Sequence, residues 1–256
     1  MTTNNAPLVL AERDNGIARL TLNRGARHNA LVPDLLTALR DALAELRRDP
    51  PRVLILAAAG RSFSTGGDVG AFYDTPPAQR YDYAARVVGE LNAAILDLLT
   101  LPCPTVAAVH GTVTGGSVGL VLACDIAVGG PRTHFAPWYT VVGFSPDGGW
   151  SALMPERIGR ARALDAQLTN RAIDADEALR LGLLQYLADD NGVLDQANAI
   201  AATIAAAKPA SVAHTLTLNR PDSQRVAAGL EAEYRHFLEQ IVSDEADRGM
   251  KAFLER

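Results

Sequence analysis

An α/β fold is what this sequence predicts, with strands and helices alternating over residues 1–190 and a helical region over 191–256. Three observations carry that expectation. Apolar runs of strand length recur at 9–11, 17–22, 53–56 and 105–109. Stretches with apolar residues at helical spacing separate them. Two of the runs lead into glycine-rich turns that open helices, at 64–68 and 111–119.

The first two runs flank Asp14-Asn15-Gly16, an Asn-Gly hairpin signal. Pro33-Asp34 then opens a helix whose Leu35, Leu39, Ala42, Leu43 and Leu46 share one face, and Pro50-Pro51 stops it. The unbroken run at 53–56 reads as a strand buried on both faces. After the turn at 64–68 a long helix is expected, with Ala84, Val87, Val88, Leu91, Ile95 and Leu98 inward and Pro102 and Pro104 beyond its end. A buried strand at 105–109, the second turn, and a helix end running into another strand at 120–128 follow. From about Pro155 helical patterns dominate, at 161–168, 176–181, 193–206, 209–218 and 227–241, with a strand signal at 183–187. The alanine-rich run 197–207 suits close helix packing. The repeated unit is strand, glycine-rich turn, helix, which occurs twice.

The 256 residues, 48% of them hydrophobic, suffice for a sizeable buried core in one large or two small domains. A net charge of −5 argues against nucleic acid as a main partner, though not against a small phosphorylated ligand. Met1-Thr2-Thr3-Asn4-Asn5 carries no leader signal, and the apolar stretches at 53–59 and 118–128 are too short to span a bilayer. Cys103 and Cys124 have neither metal-ligand spacing nor a disulfide framework. A reduced cytoplasmic protein without metal is the expectation.

A glycine-rich turn between a buried strand and a helix leaves unpaired N–H groups, and the helix dipole there favours an anion. One such turn is common and usually means tight chain reversal. Two in one domain can each aim an N–H at a single developing oxyanion, and each donor typically supplies about 3 kcal/mol to an acyl or enolate transition state.

These residues carry a resemblance. Phe63-Ser64-Thr65-Gly66-Gly67-Asp68-Val69 resembles the first oxyanion turn of the crotonase (enoyl-CoA hydratase/isomerase) superfamily. His110-Gly111-Thr112-Val113-Thr114-Gly115-Gly116-Ser117, with Ala123-Cys124-Asp125-Ile126 after it, resembles the second. Leu22-Asn23-Arg24 and Asn29-Ala30-Leu31 are similar to the family's coenzyme A segment, and Ser145-Pro146-Asp147-Gly148-Gly149 and the Ala252-Phe253-Leu254-Glu255-Arg256 terminus also fit. The motifs follow one another in order over nearly the whole chain. The resemblance implies a repeated ββα spiral core, a helical C-terminal region that makes a homotrimer or a dimer of trimers, and acyl-CoA thioester substrates, with coenzyme A entering as part of the substrate and no separate cofactor. It implies that the N–H groups of Gly67 and Gly116 hold the thioester oxygen. Arg24, His28, Ala30, Ser64, Gly66 and Asp68 would line the coenzyme A side and Tyr139 the acyl side. Phe253 and Arg256 match positions that reach the coenzyme from a neighbouring subunit. His28 stands where the family more usually has Lys or Arg.

The family's hydratases hold water between two glutamates. Those positions here are Gly119 and Tyr139, and neither supplies a carboxylate. Asp147 matches the single acidic base of some family isomerases, and one carboxylate suffices when the same group removes and returns a proton. The expectation is therefore isomerisation of an enoyl-CoA double bond, or of a ring in an aromatic-derived acyl-CoA. Pro-Asp-Gly is also an ordinary turn, and Asp147 could simply cap a helix.

Asp125 reads as a hydrogen-bonded structural residue and Asp68 as a turn-fixing one. Trp138, Phe72 and Tyr73 could shape the acyl end, while His110, His134, His214 and His236 show no ligand spacing. Three alternatives stay open: a hydratase with atypical residues, a non-catalytic acyl-CoA binder, and a serine hydrolase. The last rests on Gly115-Gly116-Ser117-Val118-Gly119, which satisfies G-x-S-x-G with Ser117 as nucleophile. A dinucleotide fold is discounted, because its glycine fingerprint should follow the first strand.

Overall fold

The structure is a computed structural model that describes residues 6–256; the N-terminal stretch read for a leader lies outside them. The chain opens with the antiparallel hairpin β1 (Val9–Asp14) and β2 (Ile17–Leu22), turned by Asn15 and Gly16, both at positive φ. Helix α1 (Pro33–Arg48) begins on a proline and carries Leu35, Leu36, Leu39 and Leu43 inward. Then β3 (Val53–Ala58) joins β2 in parallel.

The unbroken apolar character of β3 has a simple cause. Leu54 and Leu56 face the main core, whereas Val53, Ile55 and Ala57 face a second cluster under α9 (Val193–Ala206). Ala197 and Ala201 of α9 are fully buried there, so the small side chains let the helix lie close on the sheet, as the alanine run suggested.

The long helix expected after 64–68 is two helices, α2 (Val69–Asp74) and α3 (Pro77–Leu99). The break falls at Thr75 and Pro76, because two successive prolines cannot donate to the preceding turn. Next come β4 (Thr105–Val109), β5 (Thr112–Thr114) and α4 (Val118–Leu122), so the second turn contains a short strand as well as its glycines. The chain continues through β6 (Ile126–Gly129), β7 (His134–Ala136), α5 (Tyr139–Val142), α6 (Met154–Ile158), α7 (Arg160–Thr169), β8 (Ile173–Asp174), α8 (Ala175–Leu181) and β9 (Tyr186–Leu187). Several of these are too short for periodicity to reveal.

The main sheet runs β1-β2-β3-β4-β6-β9, parallel throughout except for the opening hairpin; β5, β7 and β8 form a second sheet. After α9 come α10 (Pro209–Asn219), α11 (Ser223–Ile241) and α12 (Asp244–Leu254). The sequence pattern did not suggest α12, which Ser243 caps by accepting from the Ala246 N–H at 3.1 Å. Helix α11 packs on α3, and α12 packs on α2 and α5. Helix α10 buries none of its residues. No helix among the described residues is long and apolar enough to cross a membrane.

Candidate active site

The two glycine-rich turns lie side by side because the chain stitches them together. The Ser64 N–H donates to Thr112 O at 3.1 Å, and the Thr114 N–H donates back to Ser64 O at 3.1 Å. Ser117 Oγ adds bonds to Ser64 O at 3.1 Å and Thr114 O at 2.7 Å. Gly66, at φ +75°, has no room for a side chain: a Cβ there would fall 2.5 Å from Thr114 O. Gly67 and Gly116 thus come to line one cavity of about 250 Å³.

That cavity is largely apolar. Leu31, Val87, Leu91, Phe72, Phe144 and Phe237 form much of its wall, with Tyr139, Trp138 and Phe253 at other points. Phe72, Phe144 and Phe237 pack on one another at centroid distances of 5.3–5.9 Å and make one wall of packed rings. Asp147 is the one carboxylate among the described lining residues.

Asp147 is placed by backbone contact. The glycine after it, Gly148, sits at φ +59° and presses its backbone against both Gly116 and Gly119. A Cβ on Gly119 would fall 2.1 Å from Gly148 O, and a Cβ on Gly148 would fall 2.3 Å from Gly116 O. The approach brings Asp147 Oδ1 to within 2.8 Å of where a Cβ on Gly116 would stand. Tyr139 Oη donates to that same oxygen at 2.7 Å and to Asp147 O at 2.9 Å.

Burial pushes the Asp147 carboxyl up to about 7; the Tyr139 hydrogen bond opposes the rise and the charge of Glu233 adds to it. The Tyr139 phenol is held well above its ordinary value, by burial first and then by the Asp147 charge, so it acts as a donor. A carboxyl that exchanges its proton near neutrality, next to unengaged turn N–H groups in an apolar cavity, has the properties of a general acid–base.

The other singled-out residues separate clearly. Asp68 caps α2 by accepting from the Ala71 N–H at 3.2 Å and pairs with Arg24 at 3.0 Å and Arg27 at 3.4 Å. These partners hold its carboxyl below its ordinary value despite burial, which acts the other way. Ser64 Oγ donates to Asn29 O, Ala30 is buried, and His28 is exposed with Nδ1 3.2 Å from Ser62 Oγ. Asp125 accepts from the Thr105 N–H and hydroxyl and pairs with Arg220 at 2.7 Å, a structural arrangement. Phe72 lines the cavity, whereas Tyr73 packs beside the core. His110 and His134 bond backbone carbonyls, and His214 and His236 are exposed.

One expectation needs correction. The nucleophile reading of Ser117 fails because its hydroxyl is buried, spends its proton on two carbonyls, and bonds no histidine among the described residues. Phe253 also lines the cavity of its own chain. Helix α12 folds back on its own chain and sets Phe253 in the cavity wall, edge-on to Trp138 at 5.8 Å, while Arg256 is exposed beyond the helix end.

The sequence reading missed Glu233. It is buried and accepts from the Gly149, Ser151 and Ala152 N–H groups and the Ser151 hydroxyl, all in the loop that follows Asp147. A signal was present: Val226, Leu230, Glu233, Phe237 and Ile241 follow one helical stripe, and a glutamate on an apolar stripe is out of pattern.

The sheet topology and paired turns define the class, a crotonase-fold α/β protein. The sequence model of the enoyl-CoA hydratase/isomerase family matches residues 12–256, and the chain belongs to that family of acyl-CoA-processing enzymes. The protein named "Probable enoyl-CoA hydratase EchA12" of Mycobacterium tuberculosis is 38% identical over 204 residues, 77% of this chain and 72% of its own length. The 4-chlorobenzoyl coenzyme A dehalogenase-2 of an Arthrobacter species is 30% identical over 208 residues, 81% of this chain and 75% of its own. The crystal structure of an enoyl-CoA hydratase from Bacillus halodurans superposes with a TM-score of 0.89 at 25% identity, covering 96% of this chain and 99% of the other.

Proposed function

We propose that this enzyme isomerises the double bond of an enoyl-CoA, or of a ring in an aromatic-derived acyl-CoA, with Asp147 as its single acid–base. The observation that carries this reading is the lone cavity carboxylate beside Gly116. The Asp147 carboxylate takes a proton from the carbon next to the thioester carbonyl. The electron pair moves onto the carbonyl oxygen, where the N–H groups of Gly67 and Gly116 stabilise the resulting dienolate. Asp147 then returns the same proton to the carbon at the far end of the dienolate. Atoms and charge balance, and no cofactor beyond the substrate's own coenzyme A takes part. Arg24, His28, Ala30, Ser64, Gly66 and Asp68 would flank the coenzyme, with Arg256 near it and Tyr139 and Phe253 on the acyl group.

Hydration is disfavoured by space as well as chemistry. Position 119 carries no carboxylate, and the Gly148 backbone fills the volume that one would need. The relatives named as hydratases keep that activity as the competing outcome. Purified enzyme given a 3-enoyl-CoA should form the 2-enoyl-CoA, and Asp147→Asn should lower that rate by about 10²-fold or more. Full activity in Asp147→Asn, or faster formation of 3-hydroxyacyl-CoA than of the isomer, overturns the proposal. Absence of α-proton exchange in deuterium oxide points instead to a non-catalytic acyl-CoA binder.

The assembly we favour is a trimer or dimer of trimers built through residues 191–256. Helix α10 stands off the body with Leu218 83% exposed, above a groove of about 830 Å³. Sedimentation velocity checks it, and a monomer refutes it. The two cysteines are buried and unbridged, with their thiols pushed up to about 12 chiefly by burial, which fits the reducing cytoplasm.

A further inference from the structure

Glu233 is a carboxylate buried without a cation. No salt bridge among the described residues includes it, and it is 4% exposed. Buried charges are ordinarily paired, because desolvation costs several kcal/mol. Here four hydrogen-bond donors take the place of a cation. Oε2 accepts from the Gly149 N–H at 2.8 Å; Oε1 accepts from the Ser151 N–H at 2.6 Å, the Ser151 hydroxyl at 2.7 Å and the Ala152 N–H at 3.0 Å. Burial pushes the Glu233 carboxyl above its ordinary value, and these donors, three of them N–H groups that cannot reverse their direction, oppose that rise by favouring the ionised acid.

The loop so held carries the proposed base. Gly148 and Gly149, at φ +59° and +90°, form a left-handed bend; the Gly149, Ser151 and Ala152 N–H groups donate to Glu233, and the Trp150 N–H donates to Asp147 O at 3.4 Å. On its other side the same bend presses Gly148 against Gly116 and Gly119. Removing the carboxylate leaves three N–H groups unsatisfied and frees the bend to shift. A displacement of about 1 Å in a catalytic group can cost two orders of magnitude in rate.

We propose that Glu233 is a positioning residue for the isomerisation: its carboxylate clamps the 149–152 backbone, which holds Asp147 against the Gly116 turn. This rests on the reading of Asp147 as the acid–base. The groups that face Asp147 are few. Tyr139 donates from α5, Glu233 acts from α11 through its charge, and Leu91 and Ile95 of α3 pack beside the glycines with no charge. The negative charge of Glu233 works to keep the proton on Asp147.

The test compares Glu233→Gln, Glu233→Asp and Asp147→Asn in the full-length enzyme, with folding and assembly checked by circular dichroism and sedimentation. In Glu233→Gln, kcat on a 3-enoyl-CoA should fall about tenfold or more, with KM changed less than about threefold. The acid limb of its kcat/KM profile should move to lower pH, since the charge that holds the proton is gone. Glu233→Asp keeps the charge but shortens the reach. It should retain the wild-type acid limb with a reduced kcat, and it decides the matter alone if the glutamine variant does not fold. A folded Glu233→Gln with the wild-type kcat and acid limb overturns the proposal, as does an acid limb in Glu233→Asp displaced to lower pH. If Asp147→Asn keeps full activity, the acid–base reading itself has failed. If only the Glu233 variants behave as wild type, that reading stands and the clamp alone is refuted.

Discussion

Tyr139 and Asp147 share a hydrogen bond of 2.7 Å inside an apolar cavity, and the tyrosine stands where the resemblance places a hydratase carboxylate. The hydroxyl has no second base to serve. It stabilises the anionic form of Asp147, whose carboxyl burial has pushed up to about 7. The pair sets when the proposed base is available.

Activity should follow that titration. With ionised Asp147 as the active form, kcat/KM on a 3-enoyl-CoA should rise with pH and level off above about 7. Tyr139→Phe removes the donor that favours the anion, so its profile should rise at higher pH than wild type. A Tyr139→Phe profile displaced to lower pH contradicts this role.

The same carboxyl should cost stability when ionised. Its folded value lies above the ordinary carboxylate value, so the native state binds more protons than the unfolded chain between about pH 4 and 7. Asp147 therefore contributes its full stability below that window and loses it as pH rises through 7. The loss is of order 4 kcal/mol at most. Asp147→Asn should unfold at higher denaturant than wild type at pH 8, with the gap closing toward pH 4. Equal midpoints at pH 8 contradict a buried ionised group.

Gly119 should tolerate no side chain. A Cβ would meet Gly148 O at 2.1 Å, a backbone atom that cannot rotate away. Gly119→Ala should lower stability by about 1–3 kcal/mol and displace Asp147, with a loss of kcat. Gly119→Glu should not introduce hydration of a 2-enoyl-CoA. Measurable 3-hydroxyacyl-CoA from that variant contradicts the steric account.

Helix α12 should be held to its own chain by Arg80. This buried guanidinium bonds Phe72 O through Nε at 3.1 Å and pairs with Asp247 at 3.0 Å. Arg80→Ala should expose α12 to limited proteolysis and raise KM, because Phe253 would leave the cavity wall. Unchanged proteolysis and KM would show that α12 docks without this link.

Ser117→Ala should keep most of the turnover, with a stability loss of about 1 kcal/mol from its two hydrogen bonds. Labelling of Ser117 by a fluorophosphonate, with activity abolished in the variant, revives the hydrolase.

Much of this was legible before folding. The hairpin at Asn15-Gly16, the buried strands and most of the long helices depend on turn chemistry and periodicity within about ten residues. The glycine turns and the Ser-Pro-Asp-Gly-Gly segment stood out for the same reason. The break at Thr75 and Pro76 was also written in the residues, although the apolar stripe of α3 obscured it. Elements of two to five residues, such as β7, β8 and α5, have no period to detect.

By itself the sequence determined an α/β chain with two glycine-rich turns, one candidate acid–base and no carboxylate at positions 119 and 139. Only the tertiary structure decided that Gly148 occupies the space beside Gly119, that Tyr139 bonds Asp147, that Phe253 completes its own chain's cavity, and that Glu233 grips the loop from 81–84 residues away. The reason is range. Strands, helices and turns answer to neighbours along the chain, whereas a site joins residues that become neighbours only after the sheet and the helices around it have packed.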